Sequence, residues 1–421
     1  MLPSQKPALE GGKPVRSEKL VYVGMGCYLY DEKELHAVKR VVQRAAPFRF
    51  YGPNTPVETE AFEREFASLI GRKYALAVSS GSAALHVALR ALGMGPGDEV
   101  IVPPITWPSP ALMVLASNAI PVFADVDYLT LNLSPESVET KINEKTKAII
   151  VVHYLGLPAE MDELLKLAKE RNLAIIEDCA LALGAKYKGR IAGSMGDEAI
   201  FSFQLHKIIT SGDGGCIVMD REDIYERAYR IHDLGLFKHC KESYEPFKLL
   251  GYNYRITELQ SALLRVQLDK LPSIIDALKE RAKILLEGVE KIDGLVARYV
   301  ALDREPVYPA VVLRLDRKII RTPIGKIIKA LEAEGLPAER IPLPNYLLPV
   351  FRNKYSFKPN SFCPFSCPLY NKRIDYHKGL CPNAERAYED YFEIHISLSY
   401  SEEDLKDYIK ALEKIVRYYR R

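Results

Sequence analysis

Lys207 stands in the run Phe201-Ser202-Phe203-Gln204-Leu205-His206-Lys207, between an apolar stretch (199–203) and a Ser/Gly loop that reaches Gly215. Taken alone it reads as a solvated loop lysine. A lysine just beyond a buried strand also suits covalent chemistry. Desolvation lowers its pKa, and the neutral amine is the form that makes a Schiff base with a carbonyl. Three other positions supply parts that such a lysine needs. Ser80-Gly81-Ser82 opens a helix directly after a strand, where free backbone N–H groups and the helix dipole attract an anion and Gly81 allows close approach. Asp178 ends the run Ala174-Ile175-Ile176-Glu177-Asp178, where its carboxylate either caps the strand end or holds a proton on a ring nitrogen. Trp107, the sole tryptophan, lies in a proline-rich loop and reads either as a core aromatic or as a plate for a flat ring. An anion site, a stacking plate, an acid and a Schiff-base lysine together describe pyridoxal 5′-phosphate, with the phosphate at the helix N-terminus.

The elements that must position these residues alternate between helical and strand periods from residue 58 onward. Helices are predicted over 58–70, 80–92, 109–117, from 134–135 onward, and over 161–171. Strands are predicted over 74–78, 99–102, 121–124, 148–152, 173–176 and 199–203. Strands apolar on both faces, with helices between them, predict a mostly parallel central sheet covered by helices. Ligands of such sheets collect outside the carboxyl ends of the strands. That rule brings 79–82, Thr106-Trp107, His153-Tyr154, Asp178 and 202–207 to one edge; His153 reads equally as substrate-facing or structural. After a helix over 221–232, an aromatic-rich loop leads into helices over 257–289. A strand over 310–315, a helix over 323–334, a strand over 393–398 and a last helix over 402–419 predict a smaller C-terminal α/β domain.

The expected division is an N-terminal arm and first helix (1–47), a large cofactor-binding domain (48–290) and a small domain (291–421). Residues 1–19 are rich in Pro, Gly and Lys without an apolar core, so they read as a loose arm and not a secretory signal. The chain has 421 residues, 48% hydrophobic and 27% charged, and a net charge of +3, which gives no reason to expect nucleic acid as a partner. The uncharged run 107–124 contains three prolines and fits a buried loop–helix–strand better than a membrane span. Seven scattered cysteines suggest reduced thiols and a cytoplasmic protein. Cys363, Cys367, His377 and Cys381 have loose zinc-like spacing, but no metal site is expected. The run 93–97 is glycine-rich in the wrong order for a dinucleotide loop and reads as a turn.

Longer segments carry a resemblance. They are Ser80-Gly81-Ser82-Ala83-Ala84-Leu85, Gly95-Pro96-Gly97-Asp98-Glu99-Val100-Ile101, Glu177-Asp178-Cys179-Ala180, the Phe201 to Lys207 run with 210–215, Asn253-Tyr254-Arg255-Ile256-Thr257-Glu258-Leu259-Gln260, and Cys381-Pro382-Asn383-Ala384-Glu385. In these, and over roughly residues 48–414, the chain resembles the DegT/StrS-type aminotransferases of keto sugars and keto cyclitols. The resemblance implies the aspartate aminotransferase-like fold of pyridoxal phosphate-dependent transferases. It makes Lys207 the Schiff-base lysine and Asp178 the pyridinium partner, with Gly81, Ser82 and Ser202 on the phosphate and Trp107 as the stacking aromatic. Asn253 would reach the phosphate of a neighbouring subunit, which implies a homodimer with composite sites. Gln204, where many relatives have histidine, looks like the branch acting on inosose-type cyclitols and aminobenzoate precursors.

Two positions depart from the family pattern. Leu181 stands where relatives often carry Gln or His near the cofactor's phenolic oxygen, and Asp213 replaces a common Glu. The implied reaction moves an amino group from glutamate or glutamine to a keto sugar, a nucleotide-linked keto sugar or a keto cyclitol. A dehydratase branch with histidine at the lysine position is the rival within enzymes, but the Phe201-Ser202-Phe203 register puts Lys207, not His206, in that slot. A non-catalytic sensor is the rival outside them, and it need not keep both Lys207 and Asp178. Loops 48–54 and 237–252 are expected to read the acceptor, and Arg255 is a candidate for the donor carboxylate.

Overall fold

The computed structural model describes residues 6–237, 249–356 and 363–420. After α1 (Glu32–Gln43) and α2 (Glu58–Ile70) the chain alternates between strand and helix. The order is β1 (Tyr74–Val78), α3 (Gly81–Ala91), β2 (Glu99–Val102), α4 (Ser109–Ala116), β3 (Ile120–Phe123), α5 (Pro135–Lys141), β4 (Thr146–Val152), α6 (Met161–Arg171) and β5 (Ala174–Asp178). Two short strands, β6 (Lys186–Tyr187) and β7 (Arg190–Ile191), precede β8 (Glu198–Ser202) and β9 (Gly215–Met219).

The large sheet has the order β1-β9-β8-β5-β4-β2-β3. Its pairs are parallel from β8 through β3, while β9 runs antiparallel to both β1 and β8. The expectation of a mostly parallel sheet holds. β9 was not among the expected strands, and only its first residue, Gly215, belongs to the Ser/Gly loop. Its apolar residues are fully buried between two partners, and that pairing outweighs the Ser/Gly run before it.

Following α7 (Glu222–His232), one continuous helix, α8 (Glu258–Val289), stands where helices were expected over 257–289, and it passes through Pro272. Its buried stripe packs against α1 and α2 and later against the C-terminal helix, so tertiary burial holds the helix across the proline. The C-terminal part holds β10 (Leu295–Ala297), β11 (Arg304–Glu305), β12 (Ala310–Leu315), α9 (Ile324–Ala333), β13 (Glu339–Arg340), α10 (Pro349–Arg352), α11 (Pro382–Asp390), β14 (Tyr391–His395) and α12 (Glu402–Tyr419). Its sheet, β10-β12-β14-β13, is antiparallel throughout. The strand expected over 393–398 starts and ends earlier, where β14 lies between β12 and β13.

The N-terminal arm is not loose over its described residues. The backbone N–H groups of Ala8 and Val15 each donate to the buried Glu334 carboxylate at 2.8 Å. Arg16 pairs with Asp404 at 2.6 Å and Asp407 at 2.9 Å. The arm lacks a core of its own, and its Val15 and Leu20 pack against the buried cluster that holds Leu331, Leu336 and Leu412.

Candidate active site

A cavity of about 890 Å³ opens at the carboxyl ends of the large sheet's parallel strands. Of the residues expected there, Gly81, Ser82, Trp107, Asp178, Ser202 and Lys207 all line it. Asn253 and Arg255 do not.

The anion end is built from two elements. Ser80 caps α3, its hydroxyl accepting from Ala83 N–H at 3.0 Å, which leaves the first N–H groups of the helix free. A β-carbon built on Gly81 would lie 2.7 Å from Cβ and 3.0 Å from Oγ of Ser202, at the end of β8. Only glycine lets the helix start come this close to the strand end. The Ser82 hydroxyl lies 2.8 Å from that of Ser109, at the start of α4. Hydroxyls and free N–H groups therefore face one point, as a phosphate requires.

Asp178 is 6% exposed, and its carboxylate accepts one hydrogen bond, from Ala180 N–H at 3.0 Å. Burial pushes its pKa above the usual carboxylate value, against the pull of that N–H and of Lys207. Burial lowers the Lys207 pKa, against the pull of Asp178. The neutral amine is thereby favoured. Val152, Ile200 and Leu181 supply apolar walls. Trp107 is not a core residue: it is 76% exposed at the rim, free to cover a flat ring. These observations fit pyridoxal phosphate: a cradle that excludes a β-carbon, an acid short of a cation and a desolvated lysine.

His153 is structural. Its Nδ1 accepts from Ala159 N–H at 3.0 Å, so its Nε2 donates to Glu177 at 3.0 Å, and the side chain is fully buried. Burial opposes the charge on Glu177, yet His153 and the N–H groups of Gly193 and Gly196 hold its pKa below the usual value. Arg255 is committed elsewhere, at 2.5 Å from Asp233 and with its guanidinium 5.2 Å from the Phe48 ring. Loop 48–54 does not line the cavity, and most of loop 237–252 falls outside the described residues. Among the described residues, Cys363, Cys367, His377 and Cys381 do not converge as metal ligands.

Sequence reading missed one wall altogether. Tyr22 and Met25 from the arm line the cavity, as do Glu339 and Asn345 and, from β14, Glu393 and His395. The alternation Glu393-Ile394-His395 was the one legible signal, since residues two apart on a strand share a face.

The sequence model of the DegT/DnrJ/EryC1/StrS aminotransferase family matches residues 30–366. The chain belongs to this family. It is a pyridoxal phosphate-dependent aminotransferase. It is 32% identical over 417 residues, 97% of each chain, to a putative L-glutamine:3-amino-2,3-dideoxy-scyllo-inosose aminotransferase of Streptoalloteichus tenebrarius. The GDP-perosamine synthase of Escherichia coli O157:H7 is 40% identical over 233 residues, 55% of this chain and 63% of that one. Among solved structures, that of 3-amino-5-hydroxybenzoic acid synthase matches 96% of this chain and 100% of its own, with a TM-score of 0.81 and 29% identity. In this aminotransferase no helix among the described residues is long and apolar enough to cross a membrane.

Proposed function

We propose that this aminotransferase moves an amino group from glutamate or glutamine to the ketone of a keto sugar, a nucleotide-linked keto sugar or a keto cyclitol. The observation that carries the reading is the pairing of Lys207 and Asp178 in one cavity, with burial moving their pKa values in opposite directions. The named activities of the inosose and perosamine relatives support the acceptor class.

When bound, pyridoxal phosphate supplies a carbonyl that takes up amines and a ring that absorbs electrons. Gly81, Ser82 and Ser202 hold its phosphate. Asp178 keeps a proton on the ring nitrogen. Trp107 covers the ring and limits water. Lys207, whose pKa burial lowers, is the residue that would bond the cofactor's carbonyl carbon and that, once released, would serve as the base for the proton on the donor's α-carbon. His206 also lines the cavity, but it is exposed and packs against Tyr22 at 5.5 Å between ring centroids, while Lys207 is the residue whose charge is felt by Asp178, which supports the lysine over a histidine-based dehydratase.

The working unit is a cytoplasmic homodimer with composite sites. In support, Asn253 is exposed and outside its own cavity, where a residue serving a partner's phosphate would stand. The described cysteines are unpaired, as in a reducing compartment. The test is to load the protein with pyridoxal phosphate and add glutamate or glutamine. The cofactor's visible absorbance should bleach, and return on addition of a keto sugar or inosose. An absorbance indifferent to every donor would contradict the reading.

A further inference from the structure

The arm that docks on the small domain continues along the loop that carries Lys207. That loop, residues 203–214, joins β8 to β9 and belongs to neither strand. Turn hydrogen bonds close it, among them Lys207 N–H to the Gln204 carbonyl at 2.9 Å and Ser211 N–H to the Phe203 carbonyl at 3.1 Å. A lysine on such a turn is aimed as well as the packing around the turn allows. Residues 22–30 of the arm supply that packing. A β-carbon built on Gly24 would lie 3.4 Å from the Leu205 carbonyl oxygen and 3.8 Å from Nδ1 of His206. One built on Gly26 would lie 2.7 Å from the Ile208 carbonyl oxygen, 2.9 Å from Cα of Ile209 and 2.5 Å from Oε1 of Gln267, so only glycine fits. The Gly26 N–H faces the Lys207 carbonyl at 3.5 Å, and the Tyr30 hydroxyl donates to the Thr210 carbonyl at 2.7 Å. Arm residues 24, 26 and 30 thus meet loop residues 205, 207–209 and 210 in the same order.

The arm is itself held on either side of this contact. The Ser397 hydroxyl, just after β14, donates to the Gly24 carbonyl at 3.1 Å, and Lys270 of α8 donates to the Leu29 carbonyl at 2.6 Å. Upstream, Ala8 and Val15 are tied to Glu334, and Arg16 to Asp404 and Asp407. Tyr22 completes the chain of contacts. Its ring packs on His206, the residue before Lys207, at 5.5 Å and on His395 at 5.4 Å between centroids. His395 is fixed in turn, with Nε2 3.4 Å from a Glu393 oxygen and 3.7 Å from a Glu339 oxygen. The Tyr154 hydroxyl donates to the other Glu393 oxygen at 3.2 Å. Tyr22 and Met25 also line the cavity, so the arm shields the site that it braces. Such bracing matters to chemistry, because a reacting group misplaced by about 1 Å can lose about 10²-fold in rate.

We propose that Gly26 and Tyr22 are positioning residues for Lys207, acting through the backbone of Ile208 and Ile209 and through the His206 ring. The inference rests on the transaminase reading above and adds to it the part of the chain that aims the lysine.

The test compares Gly26→Ala, Tyr22→Leu and Tyr22→Phe with the wild type in two ways. In the cofactor-free proteins, Lys207 is labelled with acetic anhydride across a pH series and its modification is followed by mass spectrometry. The labelling midpoint should lie below that of exposed lysines in the wild type and in Tyr22→Phe. It should move up toward theirs in Gly26→Ala and Tyr22→Leu, where a displaced loop lets water reach the amine. The loaded enzymes are then mixed with saturating glutamate or glutamine, whichever bleaches the wild type. Bleaching per bound cofactor should slow about tenfold in Tyr22→Leu and up to about 10²-fold in Gly26→Ala, with the half-saturating donor concentration nearly kept. Tyr22→Phe keeps the ring contacts and should follow the wild type in both measurements. A purely structural role would lower the melting temperature and the cofactor occupancy alone. An unmoved midpoint or an unslowed bleaching rate in both Gly26→Ala and Tyr22→Leu would therefore overturn the proposal. If Gly26→Ala does not fold, the two Tyr22 variants decide by the same criteria. If the wild type bleaches with no donor, the transaminase reading fails and takes the positioning role with it, whereas wild-type bleaching that the variants do not slow sinks the positioning role alone.

Discussion

Asp178 ends β5 and Lys207 follows β8, the adjacent strand, and each group feels the other's charge. Burial raises the carboxyl pKa and lowers that of the ammonium, while their mutual attraction opposes both shifts. The lysine is thereby disposed to lose its proton, and the aspartate is short of a cation. A protonated ring nitrogen at Asp178 would give that carboxylate the partner that the chain alone supplies only weakly.

Asp178→Asn should therefore separate stability from activity. A carboxyl whose folded pKa lies above its unfolded value stabilises the fold only while protonated, and that contribution is lost as pH rises through the folded pKa. At neutral pH the cofactor-free Asn variant should melt above the wild type. Its amination rate should fall about 10²–10³-fold, the range for removing a preorganised charge from a reacting centre. Calorimetry and a coupled amination assay check the two halves.

Glu198 offers the same sign without the chemistry. It begins β8 at the far end from the cavity, is fully buried, and neither carboxyl oxygen has a hydrogen-bond partner among the described residues. Burial, then repulsion from Asp197, raises its pKa well above the usual carboxylate range. Stability should accordingly decline as pH rises above the unfolded value of about 4.3. Glu198→Gln should flatten that decline in urea titrations across pH 5–8 and leave kcat unchanged.

Gly81→Ala tests the anion cradle. The new β-carbon would meet the Ser202 side chain at 2.7 Å, so α3 and β8 must part, at a cost of about 1–3 kcal/mol. The cofactor's phosphate would lose its seat at the same time. Equilibrium dialysis should show weaker pyridoxal phosphate binding, with the loss larger than any fall in the melting temperature of the cofactor-free protein implies.

The proposed homodimer with composite sites makes a prediction about mixtures. Lys207→Ala and Asn253→Ala homodimers should both be poorly active. Hybrids of the two contain one site with a native lysine and a native asparagine from the other chain. Activity should return when the variants are unfolded and refolded together. No recovery, with hybrids verified by mass, would mean that Asn253 serves its own subunit or none.

The catalytic edge was legible because its signals are local. Apolar runs ended at Ser80-Gly81-Ser82, Asp178 and Ser202, and the parallel-sheet rule brought those ends together. The opposite wall depends on pairings that no window contains. Glu339 meets Glu393 only through the order of the small sheet. The arm looked loose because the partner of Ala8 and Val15, Glu334, lies more than 300 residues away. Trp107 was recognised as a cavity residue, but its exposure follows from where the loop before α4 ends, which composition does not reveal.

The most direct measurement is to load the wild-type protein with pyridoxal phosphate, reduce it with borohydride and map the product by mass spectrometry. The account predicts a single phosphopyridoxyl mass addition on the peptide that contains Lys207, absent when the donor that bleaches the cofactor, glutamate or glutamine, is added to completion before reduction. An addition on any other lysine, or none at all, would contradict it.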